Sequence, residues 1–380
     1  MNFEPYPFEK LAKLLQGIKT PEHIKSLLLT IGEPQFATPE FIVNELQEYA
    51  YQLRYYPKTA GEECLKDAMT VFNKRSFNID LKPNEIVPTL GTREVLFSFP
   101  QWYLHDKQNP VMAYPNPFYQ IYEGAAIASR AQSILLPLLK ENRFLPDIET
   151  IKKLCEAGKK PNIVILNSPN NPTASVMSID DLAQWIELAL KYDFVLINDE
   201  CYNQIYFENA PASILNACVK VGNHSFKNCL AMNSISKRSN APGLRSGFVA
   251  GDSELINGYL KYRTYMGVAQ PLPLQMAATV AWKDEEHTKV ARKAYAKNFE
   301  IAKELLGLEP SSASFYHWID VGDGEKFAKE LWESEAVQVL PGGYLSRNEV
   351  GKNYIRMALV YDEALTREAI SRVKNYMEKR

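Results

Sequence analysis

Residues 233–248 read NSISKRSNAPGLRSGF, a stretch that sets Lys237 among hydroxyl and amide side chains directly after the apolar run CLAMNS (229–234). Arg245 follows eight residues after the lysine, just before a second apolar run, SGFVAG (246–251). Most lysines lie on solvated surfaces. A lysine that follows a strand-like run, with hydroxyls and a guanidinium near it in sequence, raises the question of which ligand would need an amine at the end of a strand.

Short apolar runs recur along the chain on both sides of this stretch. Runs that are apolar throughout are typical of strands buried on both faces, and helical patterns separate several of them, as in 178–193. The alternation predicts an α/β large domain over 45–275, with a mainly parallel seven-stranded sheet covered by helices. The seven strand-like runs are EIVPT (85–89), PVMAY (110–114), SILLPL (133–138), NIVILN (162–167), FVLIND (194–199), CLAMNS and SGFVAG.

The last hundred residues follow a different order. A long helical pattern over 289–307 precedes two strand-like runs, 314–321 and 353–360, and the chain closes with the helical pattern 365–380. We expect a smaller α+β domain formed by residues 276–380 together with 1–44.

Composition excludes several classes of function. The 380 residues are 46% hydrophobic and carry a net charge of −2, so no basic field calls for nucleic acid or an anionic membrane. Five cysteines form no CxxC pair, and five histidines have no ligand spacing, so we expect neither disulfides nor a metal. The first residues lack a secretory pattern and no run approaches a membrane span, which favours a cytoplasmic protein.

Four strand ends carry polar residues that a plain core does not need. They are Gly91–Thr92–Arg93, the segment SPNNPT (168–173), Asp199 with Tyr202, and Ser234 with Ser236 and Lys237. Each has an ordinary explanation as a turn or a helix cap, and taken singly that explanation is the better one.

Together these groups meet the needs of one cofactor, pyridoxal phosphate. It requires an amine for a Schiff base, a carboxylate for its ring nitrogen, donors for its phenolate oxygen, a stacking aromatic and a phosphate site. The sequence offers Lys237 as the amine, Asp199 as the carboxylate, Asn171 and Tyr202 as donors and Tyr119 as the aromatic. The candidate phosphate-binding residues are Gly91, Thr92, Ser234 and Arg245, and Arg93 and Ser236 are further candidate cofactor-binding residues.

The chain resembles the class I/II aminotransferases of the aspartate aminotransferase superfamily, which are pyridoxal phosphate enzymes of fold type I. The resemblance covers nearly the whole chain in order, through the segments IGEPQF, YYPKTAGEECLKDA, LGTREVLF, NPFY, NSPNNPT, NDECY, SISKRSNAPGLRSGF and NYIRMALV. One departure is Ala174, where the family usually has glycine. The resemblance implies that Gly32, Asn171 and Arg356 bind substrate, and that Lys237, Asp199 and Tyr202 are catalytic.

The implied activity is transfer of an amino group from an amino acid to a 2-oxo acid, commonly 2-oxoglutarate. The segments NPFYQIYEGAA and NSPNNPTASVMS resemble those of the N-succinyl-LL-diaminopimelate aminotransferases of bacterial lysine biosynthesis. Aspartate, alanine and aromatic aminotransferases share the motifs and remain alternatives, as do lyases and decarboxylases of the same fold. An acidic substrate needs a second cation, for which Arg54, Lys58 and Arg263 are candidates.

Two further expectations come from the resemblance. The working unit is a homodimer with shared active sites, in which Tyr56 reaches the other subunit's cofactor phosphate. The Asn171–Pro172 and Asn116–Pro117 peptide bonds are cis, so that the asparagine and the aromatic point at the cofactor.

Overall fold

The computed structural model describes residues 3–380. Its helices, α1–α14 in chain order, span Pro7–Leu15, Glu40–Glu48, Glu63–Phe77, Thr92–Tyr103, Ile121–Ala128, Ile148–Glu156, Ile179–Tyr192, Ile214–Lys220, Ile235–Arg238, Ser253–Met266, Leu272–Lys283, Glu286–Leu306, Gly324–Glu335 and Glu363–Lys379. Its strands, β1–β12, span Leu27–Leu28, Ile86–Thr89, Val111–Asn116, Gln132–Pro137, Ile163–Asn167, Val195–Asp199, Cys229–Ser234, Gly247–Gly251, Tyr316–Asp320, Val337–Gln338, Leu340–Pro341 and Tyr354–Ala358.

Strands β2 to β8 form a seven-stranded sheet in the order β2-β8-β7-β6-β5-β3-β4. All of its pairs are parallel except those of β8, which runs antiparallel to both β2 and β7. The seven apolar runs each correspond to one of these strands, so the predicted α/β fold is confirmed.

The sheet is buried on both faces, which is why its strands are apolar throughout. Alternate residues of one strand point to opposite faces. In β6, for example, Leu196 belongs to an apolar cluster that includes residues of α3, α7, α8 and α11, whereas Val195 and Ile197 belong to a cluster that includes residues of α4, α5 and α10. A polar residue on either face of such a strand would reduce the apolar area buried against the helices on that face.

Helix α7 illustrates how local sequence sets an element's boundary. The Ser178 hydroxyl accepts from the Asp181 backbone N–H, and the Asp181 carboxylate accepts from the Ser178 backbone N–H, which forms a capping box. The predicted helix over 178–193 is therefore confirmed within one residue at each end.

The smaller part of the molecule surrounds a three-stranded antiparallel sheet, β11-β12-β9. The N-terminal segment joins it, because β1 pairs in parallel with β10. Helix α12 packs against α14 beside this sheet. Helix α11 packs instead on α2 and α3 of the large part, so we propose that the domain boundary lies at the start of α12 rather than near residue 275.

Within residues 3–380, three X–Pro peptide bonds are cis: Asn116–Pro117, Asn171–Pro172 and Ser168–Pro169. The first two were expected, and the third was not. Ala174, where the family usually has glycine, adopts a left-handed backbone with φ of 59°. In the part of the chain that the structure describes, no helix combines the length and the apolarity that crossing a membrane requires.

Candidate active site

The carboxyl ends of β5, β6 and β7 lie side by side and open into a cavity of about 480 Å³. Its walls come from both parts of the molecule. The predicted site residues that line it are Gly32, Thr92, Arg93, Tyr119, Asn171, Asp199, Tyr202, Ser234, Ser236, Lys237, Arg245 and Arg356. Gly91 lies directly behind this wall, against Arg245.

Lys237 lies on the four-residue helix α9, which follows β7 without a break. Its amine donates to the backbone carbonyl of Gly32 and lies 5.8 Å from the centre of the Phe315 ring. Burial lowers the pKa of the Lys237 amine to about 8, and the nearby guanidiniums of Arg356 and Arg245 act in the same direction. A larger fraction of the amine is therefore neutral and nucleophilic near pH 7.

Asp199 ends β6 and is 3% exposed. Its carboxylate accepts from the Tyr122 hydroxyl at 3.1 Å and from the Cys201 backbone N–H at 3.2 Å. Burial raises the pKa of Asp199, and no cationic side chain opposes that rise. A buried carboxylate that faces a cavity without a cation of its own suits a ligand that carries a protonated ring nitrogen.

The first turn of α4 and the side chain of Arg245 form a cradle for an anion. Gly91 precedes α4 with φ of 78°, and a Cβ there would come within 2.6 Å of the Arg245 Nη2 atom. Arg245 donates to the carbonyls of Leu90 and Pro242. The first N–H groups of a helix have no intrahelical acceptor, so those of α4 can bind a phosphate.

The hydroxyls of Ser234 and Ser236 line the same cavity and lie 2.9 Å from each other. The Ser234 hydroxyl also accepts from the Ser236 backbone N–H at 3.1 Å. The capping bond fixes the start of α9, and thereby the path of the chain from β7 to Lys237.

Arg356 reaches the same cavity from β12. Its Nη1 atom donates to the Asn171 side-chain oxygen at 2.7 Å, and its Nη2 atom donates to the carbonyl of Thr30. Its Nε atom is buried and makes no hydrogen bond within the described chain. A guanidinium with an unused donor at a cavity wall is well suited to bind a carboxylate.

Tyr119 and Arg93 form the outer wall. Arg93 donates from its Nε atom to the Tyr119 hydroxyl at 2.7 Å, and its Nη2 atom lies 3.5 Å from the Tyr6 hydroxyl. The Tyr119 ring meets the Tyr122 ring edge to face, with 5.9 Å between their centres. Tyr119 is thereby held at the cavity wall, where an aromatic ligand could stack on it.

Tyr56 is the predicted site residue that the chain does not bring to its own cavity. Its side chain is fully exposed and follows the short 3₁₀ segment Ala50–Arg54. The Tyr56 side chain is therefore accessible to a second protein molecule.

None of the three cations named for an acidic substrate lines the cavity of its own chain. Arg263 is buried in an ion pair with Glu94, whose carboxylate it contacts at 2.6 Å. Lys58 pairs with Glu62 on the surface, and Arg54 lies over the Tyr55 ring. The position of an arginine in the sequence does not show whether a buried carboxylate pairs with it in the folded chain.

Several cavity residues were missed from the sequence. Tyr122 lies on α5 and donates to the Asp199 carboxylate, a contact that no local sequence pattern indicated. Asn167 ends β5, and its side chain donates to the Asp199 carbonyl at 2.8 Å and accepts from the Asn171 N–H. Tyr6 and Tyr316 come from distant segments, and no local pattern points to them.

The fold and this cavity define a class: a fold type I enzyme whose amine, ring-nitrogen carboxylate and phosphate cradle fit pyridoxal phosphate. Lys237 would hold the aldehyde, Asp199 the ring nitrogen, and Arg245 with the first turn of α4 the phosphate. When bound, the cofactor withdraws electrons from the substrate carbon that carries the amino group.

Comparison with known proteins gives the family. A family model described as "Aminotransferase class I and II" matches residues 24–373. The crystal structure of the aminotransferase AspB from Helicobacter pylori 26695 is 48% identical, covers all of both chains and superposes with a TM-score of 0.96. An aminotransferase from Neisseria meningitidis Z2491 is 40% identical over 98% of this chain and 97% of its own, with a TM-score of 0.92.

Curated relatives include the LL-diaminopimelate aminotransferase of Aquifex aeolicus strain VF5, which is 29% identical over 98% of this chain and 96% of its own length. The chain belongs to the class I and II aminotransferases. It is a pyridoxal-phosphate-dependent transaminase, and its substrates are an amino acid and a 2-oxo acid.

Proposed function

We propose that the enzyme transfers the amino group of N-succinyl-LL-diaminopimelate to 2-oxoglutarate. In this proposal Arg356, Asn171 and Gly32 bind the α-carboxylate of the donor, Lys237 moves the proton at its α-carbon, and Asp199 stabilises positive charge on the ring nitrogen. Tyr202 and Asn171 donate to the ring oxygen. Lysine biosynthesis is the pathway that such a substrate implies.

One observation carries the proposal: three guanidiniums face the cavity without a carboxylate partner among the described residues. Arg245 and Arg356 bond only to carbonyl and amide oxygens, and Arg93 bonds to tyrosine hydroxyls. Arg263, by contrast, is neutralised by Glu94. Unpaired cations at a cavity wall favour an anionic ligand. The cofactor phosphate accounts for one and the α-carboxylate for a second, so the third is available to a distal carboxylate.

Arg93 is the third cation. Arg93 is an exposed residue that lines the cavity together with Tyr6 and Gln120, and its Nη2 atom lies 3.5 Å from the Tyr6 hydroxyl. A carboxylate there would lie at the far end of a long side chain, as in N-succinyl-LL-diaminopimelate. The backbone of Arg93 belongs to the first turn of α4 and stays available to the phosphate.

LL-diaminopimelate itself is the second candidate donor, because curated relatives that match nearly the full chain carry that name. Its side chain ends in an amino acid group, whereas the succinylated donor ends in a chain with one more carboxylate. The two donors therefore differ in charge at the distal end, the end that this proposal places near Arg93.

The test is a coupled assay of 2-oxoglutarate-dependent transamination with N-succinyl-LL-diaminopimelate, LL-diaminopimelate, aspartate, alanine and phenylalanine as donors. We expect the highest kcat/KM for the succinylated donor. A higher value for any other donor would assign the enzyme to that donor. Release of carbon dioxide or ammonia in place of a 2-oxo acid would contradict transamination itself.

Arg93→Gln gives a sharper version of the same assay. We expect kcat/KM for donors with a distal carboxylate to fall by about 10-fold or more, because one hydrogen bond to a charged group contributes about 1.5–3 kcal/mol. Alanine should be affected much less. Arg367→Gln, which removes an arginine that pairs with Glu304 on the surface, is the control and should leave every donor unchanged.

We also propose that the enzyme is a homodimer with shared active sites. The surface around Tyr56 is unusually apolar for a solvent-facing one, because Tyr51, Leu53 and Tyr55 are each more than half exposed. Exposed apolar side chains clustered in this way are typical of protein interfaces.

A further inference from the structure

Tyr316 lies on β9 and is 2% exposed, yet it lines the cavity between three groups that the proposed function uses. Its hydroxyl lies 2.9 Å from the Tyr202 hydroxyl. Its ring lies beneath the Arg356 guanidinium, with 4.4 Å from the carbon of that group to the ring centre. The ring stays fixed because it also meets Tyr202 and Phe315 edge to face.

The contact with Gly32 shows how closely Tyr316 is positioned. A Cβ at residue 32 would come within 1.7 Å of the Tyr316 hydroxyl, so any other residue would displace the tyrosine. The carbonyl of the same glycine accepts from Lys237. Gly32 is therefore in contact with the amine on one side and the Tyr316 hydroxyl on the other.

The direction of the Tyr202–Tyr316 hydrogen bond follows from counting protons. Each phenol has one proton to donate. If Tyr202 gives its proton to the ring oxygen of the cofactor, the bond between the two tyrosines has to be formed with the proton of Tyr316. Hydrogen bonds in such a chain strengthen one another, so Tyr202 becomes a better donor.

We propose that Tyr316 is a positioning residue that donates its hydroxyl proton to Tyr202 and thereby tunes the proton affinity of the linkage between Lys237 and the cofactor. This inference rests on the proposed function. Arg356 supports it, because a cation over a tyrosine ring makes the hydroxyl a stronger donor.

Only a few ionisable groups in the described chain act on Tyr316 or Lys237. Burial raises the pKa of Tyr316, and Arg356 and the hydrogen bond with Tyr202 oppose that rise. Tyr202 acts on Tyr316 through their hydrogen bond; the other ionisable groups that influence Lys237 or Tyr316 are Cys201, Arg356, Arg245, Glu33 and Tyr6.

The experiment is a spectrophotometric pH titration of the purified holoenzyme, which follows the visible absorbance of the Lys237-bound cofactor. Tyr316→Phe keeps the ring under Arg356 and removes only the hydroxyl. We expect the pKa of the chromophore to rise by about half a unit, because a weaker donor at the ring oxygen leaves the proton more tightly held. Tyr202→Phe should raise it further.

The double variant tests whether Tyr316 acts through Tyr202. We expect Tyr202→Phe/Tyr316→Phe to have the same pKa as Tyr202→Phe alone, because the outer hydroxyl no longer has a route to the cofactor. Tyr295→Phe is the matched control, since Tyr295 is buried in the same apolar cluster and its hydroxyl lies 3.5 Å from Asn240. It should leave the pKa unchanged.

An unchanged or lowered pKa in Tyr316→Phe overturns the inference, as do additive shifts in the double variant. Thermal unfolding of each variant checks that the fold is retained. Failure of the proposed function appears differently: another donor would then have a higher kcat/KM than N-succinyl-LL-diaminopimelate in the donor assay, and the pKa shifts of the chromophore would be unaffected.

Discussion

The amine of Lys237 is buried but lines the cavity. Burial disfavours the charged form, so this amine is neutral more often than the amine of a surface lysine. The helix of Lys237 is capped by Ser234, which fixes the backbone there, and the amine donates to the Gly32 carbonyl. Rigid placement of a nucleophile lowers the entropy cost of its reactions.

Lys237→Ala should abolish the visible absorbance of bound cofactor and nearly all turnover while the fold persists. The reason is that no other amine lines the cavity in the described chain. Absorbance spectra, the donor assay and thermal unfolding make the measurement, with Lys191→Ala on the surface as the control. Retained lysine-type absorbance in the variant would refute the assignment of Lys237.

Asp199→Ala should still bind cofactor through Lys237, but turnover should fall by about 10²-fold or more, which is the usual loss when a preorganised charge is removed from an active site. Tyr122→Phe should have a smaller effect in the same direction, because it removes one of two donors to that carboxylate. Cofactor occupancy from absorbance and kcat from the donor assay separate binding from turnover. Near-normal kcat in Asp199→Ala would mean that another group carries the charge of the ring nitrogen.

At the scale of elements, α9 is held in place by the junction between α11 and α12. Arg238, the residue after the lysine, is buried between the Phe72 and Trp282 rings and donates to the carbonyls of Ala281 and Asp284. Burial lowers the pKa of Arg238 to about 9. On the next residue, the Ser239 hydroxyl lies 2.8 Å from a His287 ring nitrogen. A four-residue helix cannot hold its own orientation, so these contacts supply the rigidity that Lys237 needs.

Strand β9 carries a different kind of buried group. The ring of His317 packs edge to face on Phe299, and its Nε2 atom is buried without a hydrogen-bond partner in the described chain. Burial lowers the pKa of His317 to about 4. The unfolded chain therefore binds a proton at a higher pH than the folded chain does, and the free energy of unfolding falls as the pH drops from about 6.5 to about 4.

His317→Leu should remove this dependence. Between pH 7 and pH 5 the wild-type enzyme should lose about 2 kcal/mol more free energy of unfolding than the variant, since one pKa unit corresponds to about 1.4 kcal/mol. Urea unfolding at the two pH values measures the difference. His224→Gln, at an exposed position, is the control and should behave as the wild type; equal pH dependence in wild type and His317→Leu would contradict the assignment.

At the scale of the whole molecule, the cavity is assembled from two parts. Lys237, Asp199 and Arg245 come from the large sheet and its connections, whereas Arg356 and Tyr316 come from the small antiparallel sheet. Helix α12 leads from α11 of the large part to the core of the small part, where it packs on α14. Any change in the angle between the parts would alter the distance between the α-carboxylate site and the amine.

The proposed dimer can be tested by mixing inactive chains. Lys237→Ala chains and Tyr56→Ala chains, exchanged at equal amounts, should recover about a quarter of wild-type activity, because half of the dimers are mixed and each has one intact site. Each variant alone is the control, and Tyr56→Ala has to be strongly impaired for the test to be informative. A mixture that stays inactive despite demonstrated subunit exchange would show that Tyr56 serves its own chain.

The sequence by itself determined the seven strands, the capped helix α7 and most of the cavity. These features depend on local patterns: apolar runs for buried strands, a capping box for a helix start, and polar residues at strand ends that share one edge of a parallel sheet. Order along the chain was therefore enough to bring Lys237, Asp199 and Asn171 together.

Only the tertiary structure decided which cations remain free and which tyrosines reach the cavity. Arg263 pairs with Glu94, 169 residues away, and Arg93 does not pair with a carboxylate. Tyr316 meets Tyr202 across 114 residues of sequence, and Gly32 has to be glycine because of that tyrosine. Such contacts depend on side-chain packing between the two parts of the molecule, for which a single sequence carries no periodic signal.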